Sequence, residues 1–257
     1  MPAAPLRMLT LNALFKGDVR ARLAALGAIV ERAGYDVVCL QEVMDPRAAR
    51  RLAAGFAHRR FGGALLVRGG LVLLSRWPVA AAAFVPYPIS RPLRPELLMR
   101  KGAQVALLDT PAGRLAVVNT HLSANRDDDW SPGNRYSGLA RAELRRLERA
   151  LARLGPAVPL VVTGDLNLPR ESAVLAEFRA AAGLRDAMAG DPRPTYRPTP
   201  SWPTPPAFDH VLLRSAPGAE LKARCRLVFQ DELVPLAGGR TAHLSDHYGI
   251  ETELTIA

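Results

Sequence analysis

The stretch Pro159-Leu-Val-Val-Thr-Gly-Asp-Leu-Asn167 constrains this chain more than any other. Pro159 to Thr163 reads as a buried strand that runs out into a glycine and two polar side chains. Residues two apart on an extended segment share a side, so Asp165 and Asn167 are expected to point together beyond the strand end. A carboxylate beside a carboxamide offers oxygens to a hard cation or a water, and an amide donor to an anion. An Asx turn closing a strand would use the same residues. The difference lies in the rest of the chain, where four further strand ends carry polar residues of this kind.

From the N-terminus, Leu6 to Asn12 alternates as a strand and ends on the amide. Asp18 is expected to cap a helix whose apolar positions Val19, Leu23, Leu26 and Val30 share a face, with Gly34 as its stop. Asp36 to Glu42 is a second strand, apolar until Gln41-Glu42. Asp45-Pro46 opens a helix running to about Ala57. From Phe61 the pattern is one of strands: Gly70 to Ser75, then Ala103 to Asp109 and Arg114 to His121, the last two joined by a turn at Thr110-Pro-Ala-Gly113. Pro86 to Pro95 is proline-broken and expected to loop over the surface. Ser123 to Ser137 is a polar stretch holding Asp127-Asp-Asp129 and Trp130. A helix with the stripe Leu144, Leu147, Leu151 and Leu154 leads into the Val161 strand, and Glu171 to Ala181 is a further helix. Seven prolines fall between Pro192 and Pro206, with Tyr196 and Trp202 among them, which marks an ordered loop or a lid. Phe208 to Arg214, Leu221 to Phe229 and Tyr248 to Ile256 close the chain as strands. Strands in both halves with amphipathic helices between them predict an α+β architecture, two mixed sheets face to face with helices outside. No shift in composition divides residues 1–257, so a single domain is expected.

Apolar residues make up 49% of the chain and no window approaches a spanning helix, which points to a soluble globular protein without a transmembrane segment. Met1-Pro-Ala-Ala-Pro-Leu-Arg lacks the apolar core of a signal peptide, and Cys39 and Cys225 are too few for a disulfide framework. A cytoplasmic location is therefore expected. The net charge of +10 comes from arginine, with lysine only at Lys16, Lys101 and Lys222. Heavy alanine and proline use accompanies it, the pattern a GC-rich coding bias produces, and the basic residues are scattered. The charge supports an anionic substrate or surface only in a general way. No obligate protein partner is evident.

The polar strand ends are Asn12, Glu42, Asn119-Thr120-His121, Asp165 with Asn167, and Asp209 with Asp246-His247. Each alone has an ordinary structural explanation. Jointly they require many coincidences, and strand ends collected at one edge of a sandwich form a cleft whose loops carry function. Carboxylates and carboxamides without a cysteine cluster select Mg²⁺, Mn²⁺ or Ca²⁺ over zinc. No serine sits in a nucleophile elbow and no glycine-rich phosphate loop precedes a helix. Histidines without a thiol or serine partner suit general acid–base work on water. Metal-assisted hydrolysis of a phosphate ester is the chemistry these residues support.

In chain order, Leu9-Thr-Leu-Asn12, Gln41-Glu42, Asn119-Thr-His-Leu122, Gly164-Asp-Leu-Asn167, Phe208-Asp-His210 and Ser245-Asp-His247 resemble the motifs of the endonuclease/exonuclease/phosphatase superfamily, across almost the whole chain. The resemblance implies a four-layer αββα sandwich, the deoxyribonuclease-like fold, in agreement with the pattern above. Gly70-Leu-Val-Leu-Leu-Ser-Arg-Trp-Pro78, Arg100-Lys-Gly102, and Gly183-Leu-Arg-Asp-Ala187 followed by Pro194-Thr-Tyr196 look most like the neutral sphingomyelinase branch. The resemblance implies Glu42 as the main Mg²⁺ ligand, helped by Asn12 directly or through water, with Asp246 near a second metal in a two-metal scheme and Mn²⁺ or Ca²⁺ as substitutes. It implies His247 as general base on the attacking water and Asp165 as the group that orients or activates that water. Asn167 would hold the phosphate or Asp165, and His121 would donate to a phosphoryl oxygen. Neighbouring side chains on an extended segment diverge, so Asp209 rather than Asp246 is expected behind His247. By the same alternation His210 turns away and is structural, while His243 and His58 are surface residues. Lys101 is a candidate contact for an anionic head group.

Three functions compete on this inventory. The first is a phosphodiesterase on a phospholipid or sphingomyelin-like head group, for which the loops around Trp130 and Trp202 become candidate membrane contacts. The second is a nuclease on DNA or RNA, marked by aromatic and basic residues interleaved along the cleft rim. The third is an inactive binding protein on the same fold, marked by loss of a catalytic motif; no motif is lost.

Overall fold

The computed structural model describes residues 4–61, 69–88 and 100–257. Its elements are β1 (Leu6–Asn12), α1 (Val19–Ala33), β2 (Val37–Gln41), α2 (Pro46–Leu52), β3 (His58–Phe61), β4 (Val72–Ser75), β5 (Val79–Pro86), β6 (Gly102–Thr110), β7 (Gly113–His121), α3 (Arg135–Ala152), β8 (Leu160–Asp165), α4 (Ala173–Ala182), β9 (Arg185–Asp186), β10 (Asp209–Arg214), β11 (Leu221–Val228), β12 (Leu233–Pro235), β13 (Thr241–His243) and β14 (Gly249–Ile256). One six-stranded sheet runs β11-β14-β1-β2-β4-β3 and the other β5-β6-β7-β8-β10-β9, with β12 and β13 forming a separate ribbon.

Alternation along the strands divides their apolar residues between two kinds of interface. Leu9, Leu11, Val38 and Leu40 face Leu23, Leu26, Val30 and Leu52 of α1 and α2. Leu160, Val162 and Leu212 face Leu144, Leu147, Leu151 and Phe178 of α3 and α4. The opposite parity, Leu6, Met8, Val37 and Cys39 in one sheet and Leu115, Val117, Val161 and Val211 in the other, fills the space between the sheets. The expected four-layer αββα sandwich follows. Among the described residues no helix is long and apolar enough to cross a membrane.

Several local expectations change. Asp18 makes no capping hydrogen bond to α1 and instead lies 3.3 Å from Arg240, whereas Asp45 caps α2 through the N–H groups of Arg47 and Ala48. α2 ends at Leu52 rather than near Ala57, because the chain turns there to enter β3. α4 starts at Ala173, two residues later than expected, where the Ser172 hydroxyl accepts from Leu175 N–H. β5, with four consecutive alanines, was not foreseen, and of the expected loop from Pro86 to Pro95 residues 89–95 lie outside the described residues.

The between-sheet layer changes character toward one edge. Along β1 its residues are Leu6, Met8, Thr10 and Asn12; along β7, Leu115, Val117, Asn119 and His121; along β8, Val161, Thr163 and Asp165. An amide layer marks the transition. Gln41 Nε2 donates to Asn119 Oδ1 at 2.7 Å across the sheets, and Asn119 Nδ2 donates to the carbonyls of Leu40 and Val72 at 2.9 and 3.0 Å. Asn119 therefore stitches the sandwich together beneath the cleft.

Candidate active site

Beyond the amide layer, register places three side chains abreast. β7 and β8 are parallel with His121 opposite Asp165, and β10 runs antiparallel with Asp209 opposite Asp165. Asn12, at the end of β1, reaches across from the other sheet and donates to Asp165 Oδ2 at 3.0 Å. His247 arrives on the segment preceding β14, its Nδ1 2.9 Å from Asp209 Oδ2 and its Nε2 3.8 Å from Asp165 Oδ2. Asp165 Oδ2 also lies 3.3 Å from His121 Nε2. Asp165 is thus the centre of the cluster, and Asp209, not Asp246, stands behind His247.

The remaining predicted residues reach the cleft by unusual backbone. β2 ends at Gln41, and simple alternation would turn Glu42 toward α1. A φ of +61° redirects it, and Gly70 makes room, since a Cβ there would stand 2.9 Å from Glu42 Cα. Glu42 Oε2 accepts Phe15 N–H at 3.1 Å. Asn167 likewise has φ +50°, so it does not continue the alternation of β8. Its backbone N–H donates to Asp165 Oδ1 at 2.9 Å, an Asx turn, and its Nδ2 donates to Leu122 O at 3.0 Å. The turn and the site are one structure. Asp246 is half-buried and accepts Tyr196 OH at 3.3 Å. Lys101 is buried, with Nζ 2.7 Å from His121 Nε2 and 2.8 Å from Leu122 O. These groups line a cleft of about 530 Å³. His210 is buried on the other face of β10 with Nε2 2.8 Å from Leu168 O, as alternation requires, and both His58 and His243 lie away from the cleft lining.

Burial disfavours a charged His247, yet the carboxylates of Asp209 and Asp165, with Asp246 beyond, overcome it and push the imidazole up to about 10. Burial likewise opposes ionisation of Asp165, and the charge of His247 followed by the hydrogen bond and charge of His121 hold its carboxyl well below the usual range.

Thr195 was missed by the sequence reading. It is fully buried within the proline-rich segment; its hydroxyl donates to Asp209 Oδ2 at 2.7 Å and accepts the N–H groups of Phe208 and Asp209 at 2.9 Å each. Arg197 N–H to Asp246 O and Tyr248 N–H to Thr195 O, both 2.7 Å, pin the same segment against His247. Only its place in the Pro194-Thr-Tyr196 stretch signalled it. The tryptophans brace the walls: Trp130 Nε1 donates to Asn167 O at 3.1 Å, and Trp130 and Trp202 both pack on Phe208.

Two groups of donors could hold a cation. Asp165, Asp209 and His247 present atoms within 4.8 Å of one another. Asp209 Oδ2 there already accepts from His247 and Thr195, which leaves Asp209 Oδ1, without a hydrogen-bond partner, as the oxygen open to a cation. Glu42, Asp246 and the Asn12 carbonyl offer oxygens only, on the cleft wall, where Glu42 accepts a single backbone N–H. That set fits a hard divalent cation.

A family model described as Endonuclease/Exonuclease/phosphatase family matches residues 9–247. Inositol phosphosphingolipids phospholipase C of Schizosaccharomyces pombe is 32% identical over 114 residues, 40% of this chain, and the match spans about a quarter (26%) of that relative's length. Among solved structures, SmcL superposes with a TM-score of 0.74 at 16% identity, covering 98% of this chain and 99% of that one. Sphingomyelinase C from Streptomyces griseocarneus gives 0.72 at 22% identity over 98% and 99% of the chains. TDP2 of D. rerio, complexed with a single-strand DNA product, gives 0.77 at 18% identity over 98% and 100%. At these identities the superpositions speak for the fold.

Proposed function

Since the chain belongs to the endonuclease/exonuclease/phosphatase family, a class of phosphoester hydrolases, we propose that it is a Mg²⁺-dependent phosphodiesterase acting on a phospholipid or sphingomyelin-like head group. One observation carries the chemistry: the 2.9 Å pairing of His247 Nδ1 with Asp209, which leaves Nε2 facing the cleft beside Asp165. Asp209 fixes the tautomer with the proton on Nδ1, and Thr195 fixes Asp209. Nε2 then takes a proton from a water that Asp165 orients for attack on phosphorus, while Asn12 and the Asn167 N–H hold Asp165 in place. Lys101 Nζ donates to Leu122 O and stands 2.7 Å from His121 Nε2, and its remaining N–H meets the charge growing on a phosphoryl oxygen. Tyr196, whose phenol burial and the Asp246 charge push up to about 12, stays protonated and donates to Asp246. A divalent cation on Glu42, with Asn12 and Asp246 in reach, would neutralise the phosphoryl oxygens, stabilise the leaving oxygen and offset the acidic field that keeps His247 protonated.

The lipid reading is supported by the sequence relation to a phosphosphingolipid phospholipase C. A nuclease is the second reading, favoured by the likeness to a protein solved with a DNA product. Purified protein with Mg²⁺ should be offered sphingomyelin, an inositol phosphosphingolipid and single-stranded DNA, with EDTA as control. His247→Ala and Asp165→Ala are each expected to lower kcat by about 10²–10⁴-fold while the circular dichroism spectrum is kept. Near-full activity in either folded variant removes the role assignment, and DNA cleavage with lipids untouched moves the substrate to nucleic acid.

A further inference from the structure

Arg22 lies in the first turns of α1, yet its side chain is 4% exposed and runs inward to the loops at the cleft. Nη1 donates to Ala13 O at 2.9 Å and Leu244 O at 3.0 Å; Nη2 donates to Leu14 O at 2.9 Å and to Lys16 O. Three of these carbonyls follow Asn12 and the fourth precedes Ser245-Asp246-His247. Buried loop carbonyls lack a ladder partner and need a donor, and a planar guanidinium can serve several at fixed angles where an ammonium cannot. Ser245 Oγ ties the same two loops, donating to Asn12 O at 2.5 Å and accepting His247 N–H at 3.1 Å.

The first loop has a task of its own. Leu14 is held at φ +53° with its N–H on Asn12 Oδ1 at 3.1 Å, and the turn aims Phe15 N–H at Glu42 Oε2, 3.1 Å away. Burial draws the Arg22 guanidinium's pKa down, and the charges of Asp246, Asp18 and Glu42 oppose it. The positive group therefore stands in the field of the two acids assigned above to the cation.

The geometry points to Arg22 as a positioning residue that clamps the Ala13–Lys16 and Leu244–Asp246 loops, and so pre-sets Glu42 and Asp246 for a divalent cation before one binds. This rests on the reading of Glu42 and Asp246 as cation ligands. Supporting groups behind metal ligands typically contribute about 10- to 100-fold in metal affinity, and Arg22→Lys is expected to weaken binding by that order. The probe is Mn²⁺, followed by electron paramagnetic resonance of the free ion, on wild type and Arg22→Lys. Amide hydrogen exchange at Phe15 is measured on both proteins without any divalent cation. The clamp predicts a protected Phe15 amide in the cation-free wild type, loss of that protection in Arg22→Lys, and weaker Mn²⁺ binding by a variant that keeps its circular dichroism.

A folded Arg22→Lys with unchanged Mn²⁺ affinity and a protected Phe15 amide overturns the proposal. So does an unprotected Phe15 amide in the wild type, which needs no variant to fold. Wild-type protein that neither binds Mn²⁺ nor hydrolyses phosphodiesters would overturn the functional reading instead, with the cation-free exchange at Phe15 still deciding for or against the clamp.

Discussion

Gly164 carries a backbone that no other residue can share. Its φ is +134°, and a Cβ would stand 2.0 Å from Thr120 O on the neighbouring parallel strand. Gly164→Ala should lower stability by about 3 kcal/mol or more, through strained backbone and a clash that only displacement of β7 from β8 relieves. The urea midpoint reads this out, and an unchanged midpoint would mean that the strands tolerate separation. Glu42, at φ +61°, is the other residue whose backbone conformation bears on a proposed role. Glu42→Ala is expected to lose activity that raised Mg²⁺ partly restores, because the cation loses a ligand and not its whole site; a Mg²⁺ dependence identical to wild type would remove Glu42 as ligand. Asn12, His121, Asp165 and Asp209 were legible as residues because each sits at the end of a strand on the parity that faces between the sheets. The reach of Glu42 and Asn167 was not legible, since a left-handed backbone leaves no mark on the sequence at a non-glycine position. Thr195 was hidden for another reason: its hydroxyl acts across the fold on Asp209, and a threonine among prolines looks like loop.

At the scale of elements, Glu251 on β14 gathers partners from two neighbouring strands and from the turn between α1 and β2. Its oxygens accept Tyr35 OH at 2.7 Å, Arg7 of β1 at 3.1 Å and Arg226 of β11 at 2.7 Å. Burial works against its ionisation, and the hydrogen bonds from Tyr35 and Arg226, with the charges of Arg226 and Arg7, outweigh burial and hold the carboxyl below its ordinary 4.5. A depressed folded pKa stabilises above the unfolded value and the benefit fades as pH falls through the folded one. Glu251→Gln should therefore cost stability at neutral pH and progressively less below about pH 4.5, seen as converging melting curves; a constant gap down to pH 3 would exclude the linkage. The helices and central strands were readable from periodicity because Leu and Val dominate their buried positions. β5 escaped because alanine signals no strand and its buried side is shallow, and the ends of α2 and α4 were set by tertiary turns and a serine cap. The proline-rich segment, open between loop and lid on sequence, is bonded to both sides of His247 along Thr195–Arg197.

Among the described residues the lysines and arginines that line the cleft are Lys16, Lys101 and Arg126, while Arg47, Arg50 and Arg51 on α2 and Arg145, Arg146 and Arg149 on α3 are exposed outside that lining. A nucleic-acid substrate gripped by many cations would show kcat/KM falling steeply with salt, with a slope set by the number of phosphates contacted. On a zwitterionic lipid substrate only a shallow dependence is expected between 50 and 200 mM salt, the range over which about 10³–10⁵ of affinity is lost for six to ten phosphate contacts; a steep slope on that lipid would contradict the proposed substrate class. The nesting of the two sheets has one more consequence. Every strand of the sheet that holds His121, Asp165 and Asp209 lies between Val79 and Arg214, while Asp246 and His247 precede β14, which pairs with β1 and β11. On a ribosome, then, one wall of the cleft is synthesised in full before the base that would use it has been translated. Under the proposed roles the order of translation is a safety catch: hydrolysis would wait for the segment that carries His247.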